Sequence, residues 1–267
     1  MTRWTLYALG AVEGHRVRRP RDPVAAWFLR RHPKLQPAFA APSILSMIRA
    51  RATIVDRMIE DEVARARSRG GAVSFWGFGG GFDARWFRLQ ALGDGVRAHC
   101  EVEEPDVLDF KNLALSTSTF APSWQRIHRI PVKEDRWTVH DANSDDTLVV
   151  LEGVASRLGL ESCKRLLGRI RRDVREARVI VDLPGILPAQ SSGAGGTAQA
   201  IGSARSRWAS PGPTSAAAIR RDELERLGWT VLDDVWLAAR PEVRAPSGIS
   251  ICSGMEALRV MKLAPLD

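Results

Sequence analysis

The apolar positions of this chain follow two periods, and the change between them divides it. From Ile44 to about Arg67, Ile44, Ile48, Val55, Met58, Ile59, Val63 and Ala66 recur at helical spacing, which predicts one long amphipathic helix. Arg51 falls inside that stripe, so its guanidinium must reach water or meet a carboxylate. A shorter helix is predicted over 22–32, with Asp22 as N-cap and Pro23 at the first position. After Gly70 and Gly71 the helical period stops. Ala72 to Phe78 is an apolar and aromatic run ending in glycines, as a buried strand does.

Strand and helix then alternate. Arg97–Val102 predicts a second strand and Glu104–Leu115 a helix, while Arg126–Val132 is a weaker third strand. Thr147–Leu151 (TLVVL) reads as a fully buried strand. A helix follows with Leu160, Cys163, Leu166, Leu167, Ile170 and Val174 on its apolar face, and Ala177–Leu183 makes a fifth strand. This alternation predicts a mostly parallel α/β sheet with helices on both faces. Residues 185–217 break the rhythm with Gly, Ala, Ser and Pro, which reads either as a lid or as a loose surface insertion. A helix over 220–227, a strand from Trp229 to Leu237 and a last strand from Gly254 to Leu263 complete the pattern. We expect one domain: a helical cap over 1–70, a ligand-binding core over 71–184, a flexible lid over 185–218 and C-terminal strands over 219–267.

The chemistry concentrates at Gly77-Phe78-Gly79-Gly80-Gly81-Phe82-Asp83, directly between the first strand and the next helix. Glycines there let the backbone approach a ligand, and a helix N-terminus offers unpaired N–H groups. Such turns also serve ordinary strand-to-helix connections. Two further features raise the functional reading. The second strand ends in Glu101-Val102-Glu103-Glu104, about 20 residues on, where nucleoside-binding folds put an acid on the ribose hydroxyls. The fourth strand ends in Glu152-Gly153. All three features fall at the carboxyl ends of parallel strands, where open α/β sheets bind ligands. The spacing G-x-G-G-G lacks the third glycine of pyrophosphate binders, which favours a nucleoside without one, as in S-adenosylmethionine.

These segments resemble the leucine carboxyl methyltransferase family, with bacterial relatives in natural-product pathways. Its glycine motif N-L-G-A-G-L-D-T-R-x-x-R-L is matched by residues 77–89, and its F-E-V-D-x-P by Cys100-Glu101-Val102-Glu103-Glu104-Pro105. Its E-G-V is Glu152-Gly153-Val154, its A-R-T-x-x-x-D is Ala50 to Asp56, and its D-P-x-A-x-x-F-L is Asp22 to Leu29. The agreement runs in order over about residues 5–185. The resemblance implies a class I methyltransferase (Rossmann-like) sheet, S-adenosylmethionine as cofactor, and a cofactor-binding set of Arg51, Gly79, Gly80, Gly81, Asp83, Glu103, Glu134 and Glu152. Arg51 would meet the carboxylate of the cofactor's methionine part, Glu103 the ribose hydroxyls, and Glu152 the amino group. Where the family has P-V-D-L, this chain has Pro131-Val132-Lys133-Glu134, so Glu134 or Asp135 would have to serve the adenine. Where it has E-G-V-L-x-Y-L, Arg157 replaces the tyrosine, which implies a changed pocket.

Composition narrows the partners. The 267 residues carry 39 basic and 31 acidic side chains, a formal charge of +8. Only five of the basic residues are lysine, and the arginines are spread along the chain, which suits anionic small molecules better than nucleic acid. No apolar run is long enough for a membrane span, and no secretory signal is expected. The three scattered cysteines fit neither a disulfide framework nor a metal knuckle, so a cytoplasmic protein without a metal is expected. Five histidines occupy no recognisable catalytic setting, and the catalytic residues are not assigned. This mildly favours an acceptor carboxylate, which needs no base, over a hydroxyl. Nine tryptophans stand against one tyrosine. Trp76 and Trp86 flank the glycine turn, and Trp4, Trp27 and Trp208 lie in segments expected to cover the pocket. Arg157, Trp27 and Trp208 are therefore candidate substrate residues, for a small-molecule or peptide acceptor that is anionic or aromatic. The expected activity is O-methyl transfer to a carboxylate or hydroxyl. Methylation of carbon or nitrogen, a cyclisation, and a binding protein without turnover remain alternatives.

Overall fold

The computed structural model describes residues 22–33, 42–81, 83–89, 95–133, 137, 146–184, 219–237 and 258–266. The expected lid, Trp4, Trp208, Glu134 and Asp135 lie outside these residues. Helix α1 (Pro23–Arg31) begins as its sequence dictates, with the Asp22 carboxylate accepting the Ala25 N–H at 2.8 Å. Helix α2 (Pro42–Ser68) is the long amphipathic element. Strand β1 (Val73–Phe78) leads through the glycine turn into a single turn of helix, α3 (Arg85–Arg88). Strand β2 (Val96–Glu103), α4 (Pro105–Leu115), α5 (Ala121–Trp124) and β3 (His128–Pro131) follow. Strand β4 (Thr147–Leu151) is buried at every position.

After β4 the chain makes two helices, where the sequence pattern suggested one: α6 (Val154–Leu158) and α7 (Leu160–Asp173). Gly159 separates them at φ 79°, a left-handed conformation that glycine adopts without a Cβ penalty. Strand β5 (Arg178–Pro184), α8 (Arg221–Arg226), β6 (Trp229–Trp236) and β7 (Leu258–Pro265) complete the described elements.

The seven strands form one sheet in the order β3-β2-β1-β4-β5-β7-β6. Strands β1 to β5 pair in parallel. β7 runs antiparallel to both β5 and β6. This is an α/β sheet with the mostly parallel arrangement the alternation predicted. β3 is short and partly exposed because it is an edge strand, which is why its pattern is weak.

Side chains two apart point to the same face of a sheet, so each strand feeds two cores. On one face Phe78, Val102, Val149, Leu151, Val179 and Val181 pack against Cys163, Leu166, Leu167 and Ile170 of α7. On the other, Phe75, Leu148, Val150 and Ile180 meet Val55, Met58, Ile59 and Val63 of α2. Cys100 and Cys163 are buried free thiols. A third cluster joins α1 to Ala52, Ala84, Leu115 and Ile127, which docks the N-terminal helices beside the glycine turn.

Candidate functional site

The turn after β1 is shaped by backbone that only glycine adopts readily. Gly79 and Gly81 sit at φ 60° and 58°. A Cβ at Gly79 would collide with the Arg157 guanidinium and the Trp137 indole, so the absent side chain is what lets them approach. The Gly79 N–H donates to the Val102 carbonyl at 2.9 Å, and the Asp83 N–H to the Gly80 carbonyl at 2.9 Å. The Gly81 N–H donates to Glu103 Oε2 at 2.5 Å. Behind the turn, the buried Lys111 ammonium donates to the carbonyls of Gly81 (2.9 Å) and Asp83 (3.3 Å) and pairs with Glu101. Strand β2 and helix α4 thus hold the turn.

Around it runs a chain of alternating charges. Arg88 bonds Asp22 (3.1 Å), Asp56 (2.8 Å) and Asp83 (2.5 Å). Arg85 bonds Asp56 (2.8 Å), Asp83 (2.8 Å) and Glu152. Arg51 bonds Glu152 (3.0 Å) and Asp182 (3.1 Å), and the Gly153 N–H donates to the other oxygen of Asp182 at 2.6 Å. Arg51 therefore takes the carboxylate route out of its apolar stripe, and only 4% of it is exposed. Burial opposes the charge on Arg51, yet Asp182 and Glu152 outweigh it and raise its pKa. Asp83 is held well below the usual carboxylate range: burial works against this, but Arg85 and Arg88 prevail. At Asp22 and Asp182 burial prevails over the arginines and the carboxyls are raised. The network sets five carboxylates against three guanidiniums, an excess of two acids that a cationic ligand would offset.

A cavity of about 340 Å³ opens beside this network. Of the residues expected in the site, Arg51, Gly79, Gly80, Asp83, Glu152 and Arg157 line it. Gly81 lies behind the wall. Glu103 has no exposed surface; besides Gly81 it accepts the Glu104 N–H at 2.9 Å and faces Arg157 Nη1 at 3.5 Å. The Arg157 guanidinium lies 4.9 Å from the centre of the Trp137 ring, and Trp137 donates to the Val132 carbonyl at 3.1 Å. Arg157 and Trp137 together close over Glu103. Trp27 does not line this cavity. It borders a separate depression with Arg31, His32 and Phe110, because α1 turns it toward α4 and Phe120. Trp76 is buried in the core on the α7 face, whereas Trp86 lines the cavity.

Several residues of the site escape the sequence reading. Asp22, Asp56, Arg85 and Arg88 stand inside the matched motifs, and their spacing was visible; what spacing alone could not give is that four separate segments converge. Asp182 follows the fifth strand's apolar run, Lys111 lies mid-helix, and Trp137 is an isolated aromatic, so none carries a local signal. His99 is the largest omission. It lines the cavity between Phe75 and Trp86, with ring centres 4.8 Å and 4.9 Å away. Burial, then Lys111, pushes its pKa down to about 3, so the imidazole is neutral.

Two solved structures of similar fold cover nearly the whole chain. A protein of Thermobifida fusca described as a candidate methyltransferase matches with TM-score 0.55 and 11% identity, over 99% of this chain and 94% of that one. A DUF574 family protein from Streptomyces avermitilis matches with TM-score 0.51 and 12% identity, over 99% and 96%. The pyocyanin biosynthetic protein PhzM matches with TM-score 0.40 and 19% identity, over 72% of this chain and 50% of that one, so this chain spans half its length. No curated relative matches. The leucine carboxyl methyltransferase family model matches residues 10–171, a stretch that includes α1, α2, the glycine turn, Glu103 and Glu152. Because that match covers more than half of the sequence, the chain belongs to the leucine carboxyl methyltransferase family, whose cofactor is S-adenosylmethionine.

Proposed function

We propose that this protein transfers the methyl group to an oxygen, most readily a carboxylate, of a small-molecule or peptide acceptor in the cytoplasm. The carrying observation is the cavity itself: guanidiniums of Arg51, Arg85 and Arg157 share its wall with the carboxylates of Asp83 and Glu152, beside a glycine turn with room for close approach. S-adenosylmethionine has an ammonium, a sulfonium and one carboxylate. The acid-rich network fits that balance, and a volume of about 340 Å³ lies within the range of small-molecule pockets.

In this reading Arg51 holds the methionine carboxylate, Asp83 and Glu152 hold the ammonium, and Gly79, Gly80 and Gly81 pass beneath the same part. Glu103 takes the ribose hydroxyls once Arg157 has left it. When bound, the cofactor supplies an electrophilic methyl on sulfur for in-line displacement. The chain's own task is then to hold the acceptor oxygen close and exclude water. A carboxylate arrives ionised. His99, the one imidazole among the described cavity residues, is too weak a base near neutral pH to activate a hydroxyl efficiently. Arg157, once displaced from Glu103, would orient an acceptor carboxylate by a two-point contact.

Incubation with S-adenosylmethionine and a panel of carboxylic acids tests the reading. We expect products heavier by one methylene that lose the label on ester hydrolysis. A label that survives hydrolysis and sits on nitrogen or carbon would overturn O-transfer. A calorimetric titration with adenosylhomocysteine that produces no heat would overturn the cofactor site.

A further inference from the structure

The cavity reaches much deeper than the rim residues just described. Gly77 pairs with Glu101 and Phe75 with His99, so His99 lies four residues below Glu103 along β2. At about 3.3 Å per residue that is a depth of roughly 13 Å. The walls of this inner part are Phe75 and Val150 from the sheet, Trp86 from α3, and Ile127 before β3. Gly77 contributes no side chain, which widens the slot on the sheet face. The inner part is therefore apolar, with aromatic rings on two sides.

One polar group faces it. His99 is 8% exposed, and among the described residues its Nδ1 has no hydrogen-bond partner. A buried polar nitrogen left in this state costs about 1–3 kcal/mol, and such groups normally find a partner. Phe75 meets its ring edge-on and Trp86 lies tilted at 59°, and neither donates to Nδ1. In the tautomer protonated at Nε2, the partner that Nδ1 lacks is a donor, and the cavity is the open side from which one can enter.

We propose that this inner slot binds the methyl acceptor by a planar ring carrying a hydroxyl or N–H, which donates to His99 Nδ1 while the acceptor's carboxylate stays at the rim among the arginines. The substrate class is thus a hydroxyaryl or indolyl carboxylic acid. The ring slides between Phe75, Trp86 and Val150, where offset or edge contacts between aromatic groups favour it beyond simple burial. A depth of roughly 13 Å separates donor and carboxylate by about the length of a single ring with a short acidic side chain plus the two contacts. The anchor deepens the oxygen-transfer reading and rests on it for the role of acceptor, but ring binding itself does not need methyl transfer.

The test uses 4-hydroxyphenylacetate and phenylacetate, which differ only in the donor. Each is titrated calorimetrically into the full-length protein, with and without saturating adenosylhomocysteine. We expect the hydroxylated acid to bind at least tenfold more tightly, since a site built for a hydroxyl rejects the analogue lacking it. His99→Phe should close that gap while the variant keeps a cooperative thermal transition. In the wild type, the His99 ring resonances should shift with 4-hydroxyphenylacetate and stay in place with phenylacetate, a readout that does not depend on the variant folding. Equal affinities, no binding of either acid at millimolar concentration, or a gap that survives His99→Phe would overturn the slot. Absence of adenosylhomocysteine binding alongside a preserved gap would overturn the methyl-transfer reading and leave the slot standing.

Discussion

Glu103 and Arg157 hold one another at the point where, in our reading, the cofactor's sugar must enter. The carboxylate has no exposed surface, and the guanidinium also rests on Trp137. A binding-competent state that is only partly populated weakens apparent affinity by its fraction. Arg157→Ala should therefore tighten adenosylhomocysteine binding by about three- to tenfold, read by calorimetry, while raising the KM for a carboxylate acceptor. Weaker cofactor binding in that variant would mean the guanidinium supports the ligand instead of competing with it. His99 makes a second prediction. Its folded pKa of about 3 lies below the ordinary value of 6.5, with burial the main cause, Lys111 and Arg85 adding to it, Asp83 opposing and His128 adding slightly. The unfolded chain thus binds the proton first on acidification. The stabilisation is complete above pH 6.5 and is lost as pH falls from there toward about 3, at roughly 1.4 kcal/mol per pH unit. Urea titrations across that window should show His99→Gln with a shallower acid loss than the wild type; parallel curves would contradict a neutral buried imidazole.

At the scale of elements, the glycine turn and α2 depend on each other. Asp56 of α2 binds both Arg85 and Arg88 of α3, and Arg51 of the same helix reaches Glu152 after β4 and Asp182 of β5. Removing one partner of a buried pair leaves a charge uncompensated and costs about 3–5 kcal/mol. Asp56→Ala should lose stability in that range by chemical denaturation, well beyond what its size suggests. Gly79→Ala should be harmful for a different reason, since it places a Cβ at φ 60° and into Arg157 and Trp137. We expect a loss of about 1–3 kcal/mol together with loss of cofactor binding.

The same elements mark what was legible beforehand. α2 and β4 were readable because seven apolar residues in helical period, or four in a row, admit few other structures. The glycine turn and the acids ending β2 and β4 were readable because strand ends in a parallel sheet collect ligand groups. The helix expected from Leu160 onward formed as α7, whereas the five residues of α6 ahead of Gly159 are too few to leave a periodic trace. Asp182, Lys111 and Trp137 were hidden, since their roles arise from contacts between segments that no local pattern links. His99 alternates with apolar neighbours like any core residue, and only the cavity beside it marks it out.

Over the whole molecule, the charge network joins the N-terminal helices to the sheet through the ligand site itself. A ligand that offsets the acidic excess should stabilise the entire fold. Binding to the native state alone contributes about 2.7 kcal/mol at a hundredfold excess over Kd. For a chain of this size that corresponds to a rise in Tm of about 5–10 °C. Differential scanning fluorimetry with adenosylhomocysteine measures it, and an unchanged Tm at saturating ligand would contradict the cofactor site. No helix among the described residues is long and apolar enough to cross a membrane.

The position of β7 has a consequence for biosynthesis. Residues 258–265 are the latest described strand to leave the ribosome, yet they insert between β5 and β6 in the middle of that half of the sheet. Until they emerge, β5 presents a raw hydrogen-bonding edge and β6 has nothing to bind. A nascent chain stalled before Leu258 should therefore hold a five-strand intermediate that is prone to aggregation and dependent on chaperones. Emergence of Leu258–Pro265 gives β5 and β6 their shared partner and ends that exposure.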